Sequence, residues 1–372
     1  MRNKVTYFFL DGRIDRLNSD NPFPEEMFYG YKYLKNNYKT VKIIEAKKSK
    51  ARLFFQNIIE DKISYIVQVP LFFTYFFSLK NIYLFTTSKH VFLTNHRVAA
   101  SSLPLIFISK ILFLKPKLSI FVMGLFRENP SRAYLYKFKF KIIKFLFKNS
   151  EYIYFLGKEE FETSLRAFPE FSNKFIYYPF SVDLNFWHKE NVTKKDQILF
   201  VGNDGRRDYD FLYKLVESQK NQKFIVLSNQ VNPDKLNYPN CQIISGSFTD
   251  QGISDMELRD LYRESWITIL PLKDSIQPSG QSVALQSLAC GTPVVITDTI
   301  GFWDRKSFIN EKNIFFVKNN NVKEWNETLN NIPPSKDQLY KRIIDNADTL
   351  LREHYNLDMF HEELADTIQK LS

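Results

Sequence analysis

Residues 269–304 read ILPLKDSIQPSGQSVALQSLACGTPVVITDTIGFWD. The pattern predicts a buried strand over residues 266–270, a polar loop, a helix opening at Ser279-Gly280, and a second buried strand over residues 293–297. Backbone N–H groups at such a helix start, together with the helix dipole, form a binding site for a phosphate or diphosphate. Small residues at the other end, with Gly291 as the predicted C-cap, let the helix finish close against the sheet.

A short Ser-Gly-Gln motif taken alone has a simpler interpretation. Ser279-Gly280 is then only the N-cap in an ordinary helix–strand turn of an α/β protein. The ordered series of strand, polar loop, helix start and second strand favours the anion site instead. We therefore take Ser279, Gly280, Gln281 and Ser282 as candidate ligands of a diphosphate.

Apolar strand patterns alternate with amphipathic helix patterns along the chain, which predicts parallel sheets covered by helices on both faces. At 372 residues the chain is long enough for two domains. The predicted fold class is α/β, with two Rossmann-like doubly wound domains that face each other across a cleft. A Pro-bearing turn marks the boundary between them. We predict a first domain at 1–180, a linker at 181–196, a second domain at 197–355 and a final helix at 356–372.

The individual elements follow from the same patterns. The predicted strands are residues 5–10, 41–44, 63–69, 91–95, 118–123, 152–156, 197–201, 223–228, 241–244, 266–270 and 293–297. The predicted helices are residues 24–36, 130–148, 208–219, 255–265, 279–289, 335–355 and 357–371.

Basic residues are concentrated in the first half of the chain. Residues 1–187 contain 29 Lys and Arg against 15 Asp and Glu, whereas residues 188–372 contain 22 against 26. Residues 134–148 (YLYKFKFKIIKFLFK) interleave lysines with apolar side chains and could lie on an anionic membrane surface. An amphipathic core helix with a basic solvated face is the alternative. Nucleic-acid binding is a second alternative, but no recognition motif accompanies the charge, so we expect no nucleic-acid partner.

Other features predict a cytoplasmic protein that is peripheral on the inner face of the membrane. No signal-peptide pattern precedes the first strand. The uncharged run at residues 63–79 is at the short limit for a membrane span and contains Pro70, so we predict a buried strand followed by an aromatic helix. Cys241 and Cys290 lack metal-ligand spacing and are expected to be reduced thiols. No Asp-x-Asp is placed as a metal-bridging motif, so we expect neither a metal nor a cofactor.

Residues 197–304 resemble GT-B glycosyltransferases of the large retaining group called glycosyl transferases group 1. The sequence YYPFSVDLNFW at residues 177–187 is similar to the interdomain linker of that family, while before residue 150 only the order of strands and helices matches. The resemblance implies a nucleoside-diphosphate sugar donor held mainly by the second domain and acceptor contacts from the first. It also implies a final helix that returns to the first domain.

The function that the resemblance implies is hexosyl transfer, with retention, from that donor to a glycan or lipid-linked acceptor in bacterial-type surface polysaccharide or glycoconjugate synthesis. The family usually carries two glutamates around the donor helix, and their positions are Pro278 and Gln286 in this chain. A neutral amide at Gln286 could still hydrogen-bond the ribose hydroxyls. The missing glutamates leave an alternative open, a catalytically silent GT-B-like subunit that binds a partner or a glycan.

A second departure concerns the positive charge near the donor. The family usually places Arg directly after the glycine at the first strand of this domain, but here Gly202 is followed by Asn203, and the basic groups are Arg206 and Arg207. Negative charge grows on the leaving diphosphate as its bond to the sugar breaks, and cations already in place stabilise it. We assign Arg207 foremost, with Arg206 and with Lys273 from the loop before the helix, as the catalytic cations.

Alternatives remain for these and the other candidates. One arginine could simply pair with Asp208 or Asp210, and Lys273 could be plainly solvated. By resemblance, Ser247 lies at the nucleobase pocket. On the acceptor side we select Gly12, because glycine permits close backbone approach, and His96, because it follows a predicted strand.

Overall fold

The structure, a computed structural model, describes residues 4–37, 40–46, 59–126, 134–190, 196–246, 252–333 and 337–370. The candidate Ser247, part of the predicted linker (191–195) and the start of one predicted helix (130–133) lie outside the described residues. The chain divides into two compact units. The first comprises Met1–Asp20, Phe28–Tyr178 and Glu363–Ser372, and the second comprises Asn21–Met27 and Pro179–Glu362.

The first unit is built on a parallel six-stranded sheet. Its strands are β1 (Lys4–Phe9), β2 (Thr40–Glu45), β3 (His90–Leu93), β4 (Lys117–Val122), β5 (Tyr152–Phe155) and β6 (Phe175–Tyr177), in the order β2-β1-β3-β4-β5-β6. Its helices are α1 (Arg13–Leu17), α2 (Tyr31–Asn37), α3 (Asp61–Val67), α4 (Phe73–Phe76), α5 (Leu79–Thr87), α6 (His96–Ser101), α7 (Leu103–Ile111), α8 (Tyr136–Asn149) and α9 (Lys158–Ala167).

The second unit contains another parallel six-stranded sheet. Its strands are β7 (Gln197–Val201), β8 (Lys223–Leu227), β9 (Cys241–Ile244), β10 (Ser265–Leu270), β11 (Val294–Thr297) and β12 (Phe315–Val317), in the order β12-β11-β10-β7-β8-β9. Its helices are α10 (Tyr209–Ser218), α11 (Asp255–Glu264), α12 (Gln281–Ala289), α13 (Val322–Asn331) and α14 (Gln338–His354). A last helix, α15 (Leu357–Lys370), begins in this unit and ends in the first.

Each sheet reverses its direction of winding once. In the first unit the chain adds β2 on one side of β1 and then β3 on the other. In the second unit it adds β8 and β9 on one side of β7 and then β10 on the other. Ligands of open α/β sheets bind outside the carboxyl ends of the strands at such a reversal. The ends of β1 and β3, and those of β7 and β10, are therefore the two places to examine for a site.

The central strands carry apolar residues on both faces because helices cover both sides of each sheet. Every residue of β7, including Phe200, is buried, and β11 is likewise buried throughout. One side of the second sheet packs against α10, α13 and α14, where Trp325 and Tyr340 are almost completely inaccessible. Continuous apolar runs in the sequence thus predicted these strands correctly.

One predicted strand is wrong. Residues 63–69 were expected to form a strand, but residues 61–67 form the helix α3. Two adjacent apolar residues, Tyr65 and Ile66, are exposed, while Val67 is buried, a pattern that a strand buried on both faces does not give. Gln68, with φ of 54°, ends the helix in the left-handed region. A short apolar run has no periodicity that separates a strand from a helix, which explains the error.

The predicted helix at residues 24–36 is wrong in its first half. Tyr29 and Gly30 have φ values of 48° and 75°, so the helix α2 begins only at Tyr31. The preceding stretch contains a single short 3₁₀ turn, Glu26–Phe28. The segment Asn21–Met27, hereafter the N-terminal segment, belongs to the second unit although it lies early in the sequence.

The C-cap of α12 lies one residue before the predicted position, since it is Cys290 and Gly291 is the residue after it. Gly291 has φ of 74°, its N–H donates to Leu288 O at 3.0 Å, and Thr292 N–H donates to Ser287 O at 3.0 Å. These two bonds form a Schellman motif in which glycine occupies the left-handed position directly after the C-cap residue, Cys290. A Cβ at Gly291 would also lie 3.0 Å from Lys189 Cβ.

We expect Gly291→Ala to lower the free energy of unfolding of the second unit by about 1–2 kcal/mol, because alanine is strained in the left-handed region. Urea unfolding followed by tryptophan fluorescence measures this, since all four tryptophans (Trp187, Trp266, Trp303 and Trp325) lie in the second unit. Gly291→Asn is the matched control and should lose less, because asparagine tolerates this conformation better. Equal losses in both variants would show that crowding against Lys189, rather than backbone conformation, sets the effect.

Candidate functional site

The N-terminus of α12 lies directly after the carboxyl-end loop of β10. Gly280 is the N-cap residue, with φ of 75° and ψ of −1°, and has no side chain with which to cap the helix. The first turn of α12 contains no acidic residue, so no carboxylate within it competes for an anion. Ser279 is mostly buried and its hydroxyl lies 3.4 Å from Gln277 O, so it does not act as the N-cap. Within the Ser-Gly pair the N-cap is therefore Gly280.

Residues 202–208, the β7 loop, and residues 271–280, the β10 loop, are joined by main-chain hydrogen bonds. Lys273 N–H donates to Arg206 O at 2.8 Å, and Asp208 N–H donates to Pro271 O at 2.9 Å. Arg207 and Leu272 form an isolated antiparallel bridge between the same two loops. The structure thereby brings together the segments that carry Arg206, Arg207 and Lys273, which are separated by more than sixty residues in the sequence.

Asn320 was not selected from the sequence, yet it holds this pair of loops in place. Its Nδ2 donates to Asp208 Oδ2 at 2.8 Å and to Leu272 O at 2.9 Å. Its Oδ1 accepts a hydrogen bond from the hydroxyl of Thr297, at the end of β11, at 2.7 Å. One amide therefore joins the carboxyl ends of three strands. It lies in the turn before α13, where no local motif marks it.

The three candidate cations differ in exposure. The Arg207 side chain is 3% exposed, its Nε donates to Val201 O at 3.3 Å, and one terminal nitrogen forms an ion pair with Asp204 at 3.1 Å. Its acidic partner is thus Asp204, not Asp208 or Asp210. Lys273 is exposed and Arg206 is half-buried. Of the three, Arg206 and Lys273 are the more accessible to a ligand.

Gly202 makes room for Arg207. A Cβ at Gly202 would lie 2.5 Å from Arg207 Nε and 2.7 Å from its Cγ, which real side chains do not tolerate. The glycine after β7 is therefore required by the packing of the arginine. The packing of Arg207 thus gives Gly202 a structural role that the sequence motif alone does not reveal.

Asn203 connects the ends of three neighbouring strands. Its Nδ2 donates to Gly246 O at 2.7 Å, and its Oδ1 accepts from Asn229 N–H at 2.6 Å. Asn229 Oδ1 in turn accepts from Gly246 N–H at 2.6 Å. Asn203 thus orders the β7 loop against the ends of β8 and β9, which fits a side chain that shapes the site.

The chain's Asp-x-Asp, Asp208-Tyr209-Asp210, begins α10. Asp208 is the N-cap residue, and its Oδ1 accepts from Phe211 N–H at 3.2 Å. Within the described ranges, no group of three or more His, Cys, Asp or Glu side chains is placed to hold a metal ion. The absence of a metal and a cofactor stays an expectation from the sequence.

Gln286 lies on the sixth position of α12 and is almost fully buried, and both ends of its amide meet protein groups. Its Oε1 accepts from the hydroxyl of Tyr262 at 3.3 Å, and its Nε2 donates to Glu26 Oε1 at 2.9 Å. Glu26 comes from the N-terminal segment, 260 residues earlier. Sequence reasoning missed Glu26 altogether, because no local pattern connects two residues so far apart.

Glu26 accepts hydrogen bonds from three donors. Besides Gln286, Trp187 Nε1 donates to Oε1 at 2.7 Å and Asp183 N–H donates to Oε2 at 3.3 Å. The N-terminal segment and Asp183 also bond in the opposite direction, because Asp183 Oδ2 accepts from the N–H of Glu25, the residue before Glu26, at 3.1 Å. Burial, with a smaller contribution from the nearby Asp183, raises the pKa of Glu26 from 4.5 to about 7, against the opposing effect of the hydrogen bonds from Gln286 and Trp187.

The acceptor-side candidates lie at the reversal of winding in the first unit. Gly12 follows β1 and is the N-cap of α1, with φ of 97°, a value that favours glycine. Glu45, at the end of β2, accepts hydrogen bonds from the N–H groups of Arg13 and Ile14 at the start of α1. His96 is half-buried and is the first residue of α6, whose N-cap Asn95 accepts from Val98 N–H. Gly12 and His96 thus follow the carboxyl ends of two adjacent strands, β1 and β3.

Comparison with known proteins agrees with this arrangement. Residues 182–349 match the family model described as glycosyl transferases group 1. Sucrose-phosphate synthase from Thermosynechococcus elongatus superposes with a TM-score of 0.71 at 12% identity, covering 99% of each chain. A glycosyltransferase from Rickettsia africae gives 0.66 at 15% identity, also covering 99% of each. HepE from Anabaena, solved with UDP, gives 0.63 at 10% identity, covering 99% of this chain and 100% of its own.

No curated protein matches the chain by sequence. Two parallel doubly wound sheets with the matched second half define a glycosyltransferase of the GT-B fold. The family match assigns residues 182–349 to the glycosyl transferases group 1. Among the described residues, every helix is too short or too polar to span a bilayer.

The raised pKa of Glu26 predicts a pH-dependent stability. Between pH 4.5 and about 7 the unfolded chain releases this proton while the folded protein keeps it, so stability falls as the pH rises through that range. Glu26→Gln cannot ionise. We expect wild type to lose as much as about 3 kcal/mol relative to this variant between pH 4.5 and about 7, measured by urea unfolding with tryptophan fluorescence.

Glu257→Gln is the control for this titration. Hydrogen bonds from the backbone and side chain of Ser254 hold the pKa of Glu257 below its ordinary value, so its contribution changes only at lower pH. The difference between wild type and Glu257→Gln should be flat over the same range. A flat difference for Glu26→Gln as well would contradict the raised pKa.

Proposed function

We propose that the second unit binds a nucleoside-diphosphate sugar at the carboxyl ends of β7 and β10. The observation that carries the proposal is the hydrogen-bonded pair of loops that places Arg206 and Lys273 at the same reversal of winding as the start of α12. Cations and backbone N–H groups together are suited to a diphosphate. The solved structure of HepE with UDP supports a nucleotide donor by analogy of fold.

Catalysis follows from charge stabilisation at this place. Negative charge develops on the diphosphate as the bond to the sugar breaks, and Arg206, Lys273 and the N-terminus of α12 stabilise it. Arg207 contributes positive charge from beneath the β7 loop and holds that loop through Val201 and Asp204. No protein nucleophile is assigned. Transfer proceeds with retention, without a metal or a cofactor.

Donor contacts are divided between backbone and side chains. Gly280, Gln281 and Ser282 supply the N–H groups for the phosphates, and Ser279 shapes the turn before them. Asn203 lies toward the nucleobase side, the resemblance implies the same role for Ser247, and Gly202 makes room for Arg207. Gln286, because Glu26 and Tyr262 engage its amide, supports α12 from within the unit and directs its remaining hydrogen-bonding capacity to the donor ribose.

The acceptor is a glycan or lipid-linked glycan of surface polysaccharide or glycoconjugate synthesis, bound by the first unit near Gly12 and His96. The enzyme works at the cytoplasmic face of an anionic membrane. The charge of the first half supports this location, because basic surfaces are attracted to anionic lipid.

Nucleotide binding tests the donor site. UDP is the first nucleotide to examine, beside GDP, dTDP and CMP, and we expect one diphosphate to raise the unfolding temperature of wild type. Arg206→Ala and Lys273→Ala should each weaken binding of that nucleotide by about tenfold, since each removes a charge-assisted contact. Lys323→Ala, which removes an exposed lysine of α13 outside both loops, is the matched control and should bind as wild type does.

The outcomes separate clearly. Equal binding in the two site variants and in Lys323→Ala would reject these cations as donor ligands. No response of wild type to any nucleotide would reject the donor site itself. The anomeric form of sugar released from the donor, read by proton NMR at early times, tests retention.

A further inference from the structure

The exposed large apolar side chains of the first unit are concentrated in one stretch of its sequence. Of the eighteen large hydrophobic residues that are exposed among the described residues, thirteen lie between residues 59 and 140. The described part of the first unit has none outside that stretch. Scattered exposed hydrophobics need no explanation, but a concentration of them on one set of helices marks an interaction surface.

Three of the helices involved pack side by side. Helix α5 packs against α7, and α7 packs against α8, where Phe107 and Phe145 stack with ring centroids 4.9 Å apart. Leu79 and Tyr83, one turn apart on α5, are 86% and 64% exposed. Ile111, one turn beyond Phe107 on α7, is 74% exposed. Residues four apart share a helix face, so each helix presents an apolar stripe to solvent.

The end of α7 is the most exposed apolar point. Ile111, Leu112 and Phe113 follow one another, and Phe113 is 87% exposed. Phe113 has φ of 55° and closes a Schellman motif, its N–H donating to Lys110 O at 3.0 Å and Leu114 N–H donating to Ser109 O at 2.8 Å. We call residues 111–113 the apolar tip.

A phenylalanine at this position works against the stability of the fold. The left-handed region costs a residue with a Cβ about 1–2 kcal/mol, and glycine or asparagine usually occupies it. Phe113 recovers little of that by packing, since nearly all of its side chain is in solvent. A strained and exposed aromatic residue points to a benefit outside the folded monomer.

The charges around the apolar tip indicate what covers it. Residues 62–126 contain no Asp or Glu, while Lys80, Lys110 and Lys115 lie on or beside the exposed stripes and are themselves exposed. Lys110 Nζ also lies 5.2 Å from the ring centroid of Phe145. A protein partner with an apolar surface would not require this one-sided charge. Exposed apolar side chains flanked by lysines match the boundary between anionic headgroups and acyl chains.

We propose that the apolar tip, Ile111-Leu112-Phe113, inserts into an anionic lipid bilayer, with Leu79 and Tyr83 at the same surface and Lys80, Lys110 and Lys115 against the lipid phosphates. The inference rests on the proposed membrane location and names the part of the molecule that achieves it. Apolar insertion and charge act together, because either one alone gives weak and reversible binding.

Vesicle sedimentation of the whole chain tests the proposal. The vesicles consist of equal parts phosphatidylcholine and phosphatidylglycerol, with pure phosphatidylcholine for comparison. We expect Phe113→Gly to weaken binding to the anionic vesicles by about tenfold, the effect of withdrawing one phenylalanine from lipid. The same variant should unfold at a higher urea concentration than wild type, because glycine relieves the left-handed strain. Lost binding therefore cannot be ascribed to a damaged fold.

Leu339→Ser, which removes an exposed apolar residue of α14 in the second unit, is the matched control and should bind as wild type does. Lys110→Gln with Lys115→Gln should weaken binding to anionic vesicles and leave the weak binding to phosphatidylcholine unchanged. Unchanged binding of Phe113→Gly would overturn the inference, even if the lysine variants lose binding. Concentration-dependent dimers that Phe113→Gly abolishes, with no vesicle binding by wild type, would assign the surface to a second copy instead.

The same proteins are examined for UDP binding without vesicles, since the two proposals fail in different ways. A wild type that binds vesicles through the apolar tip but responds to no nucleotide keeps the membrane inference and loses the donor site. A wild type that binds UDP but no vesicle keeps the donor site and loses the membrane inference.

Discussion

The pairing of β7 with β10 is the constraint on which the rest of the second unit depends. Two other strands, β8 and β9, and their helices come between β7 and β10 in the sequence. The strands β7 and β10 nevertheless lie next to each other in the sheet. Their parallel alignment sends the β7 loop and the β10 loop to the same edge. Two further amides then hold the edge, Asn203 towards β8 and β9 and Asn320 towards β11. The positive charges of Arg206 and Lys273 and the uncapped start of α12 therefore lie at one edge of the sheet.

Burial and accessibility separate residues that look equivalent in the sequence. Arg206 and Arg207 are adjacent, but one lies partly in solvent while the other is enclosed under the β7 loop with Asp204. An enclosed arginine with an ion-pair partner loses less side-chain freedom when a ligand arrives than a solvated one does. Arg207 therefore holds the β7 loop in place, whereas Arg206 remains partly in solvent.

The sequence was sufficient to predict most of the second unit, because its strands are continuous apolar runs and α12 has a clear beginning and end. It failed where short apolar runs lack periodicity, as at Tyr65 and Ile66, and where backbone conformation breaks a pattern, as at Tyr29 and Gly30. It could not predict Glu26 or Asn320, since both act through contacts with residues far along the chain. Phe113 was also beyond its reach, because only the backbone angle reveals the strain.

The N-terminal segment has a consequence for how the protein is made. Glu26 leaves the ribosome early, but its partner Gln286 follows 260 residues later, a delay of roughly 10 to 50 s at ordinary rates of synthesis. Residues from Glu363 onward belong to the first unit, so that unit is completed only after the second unit has been synthesised. Early intermediates on the ribosome therefore keep the carboxyl group of Glu26 and the indole N–H of Trp187 hydrated until Gln286 and its helix emerge.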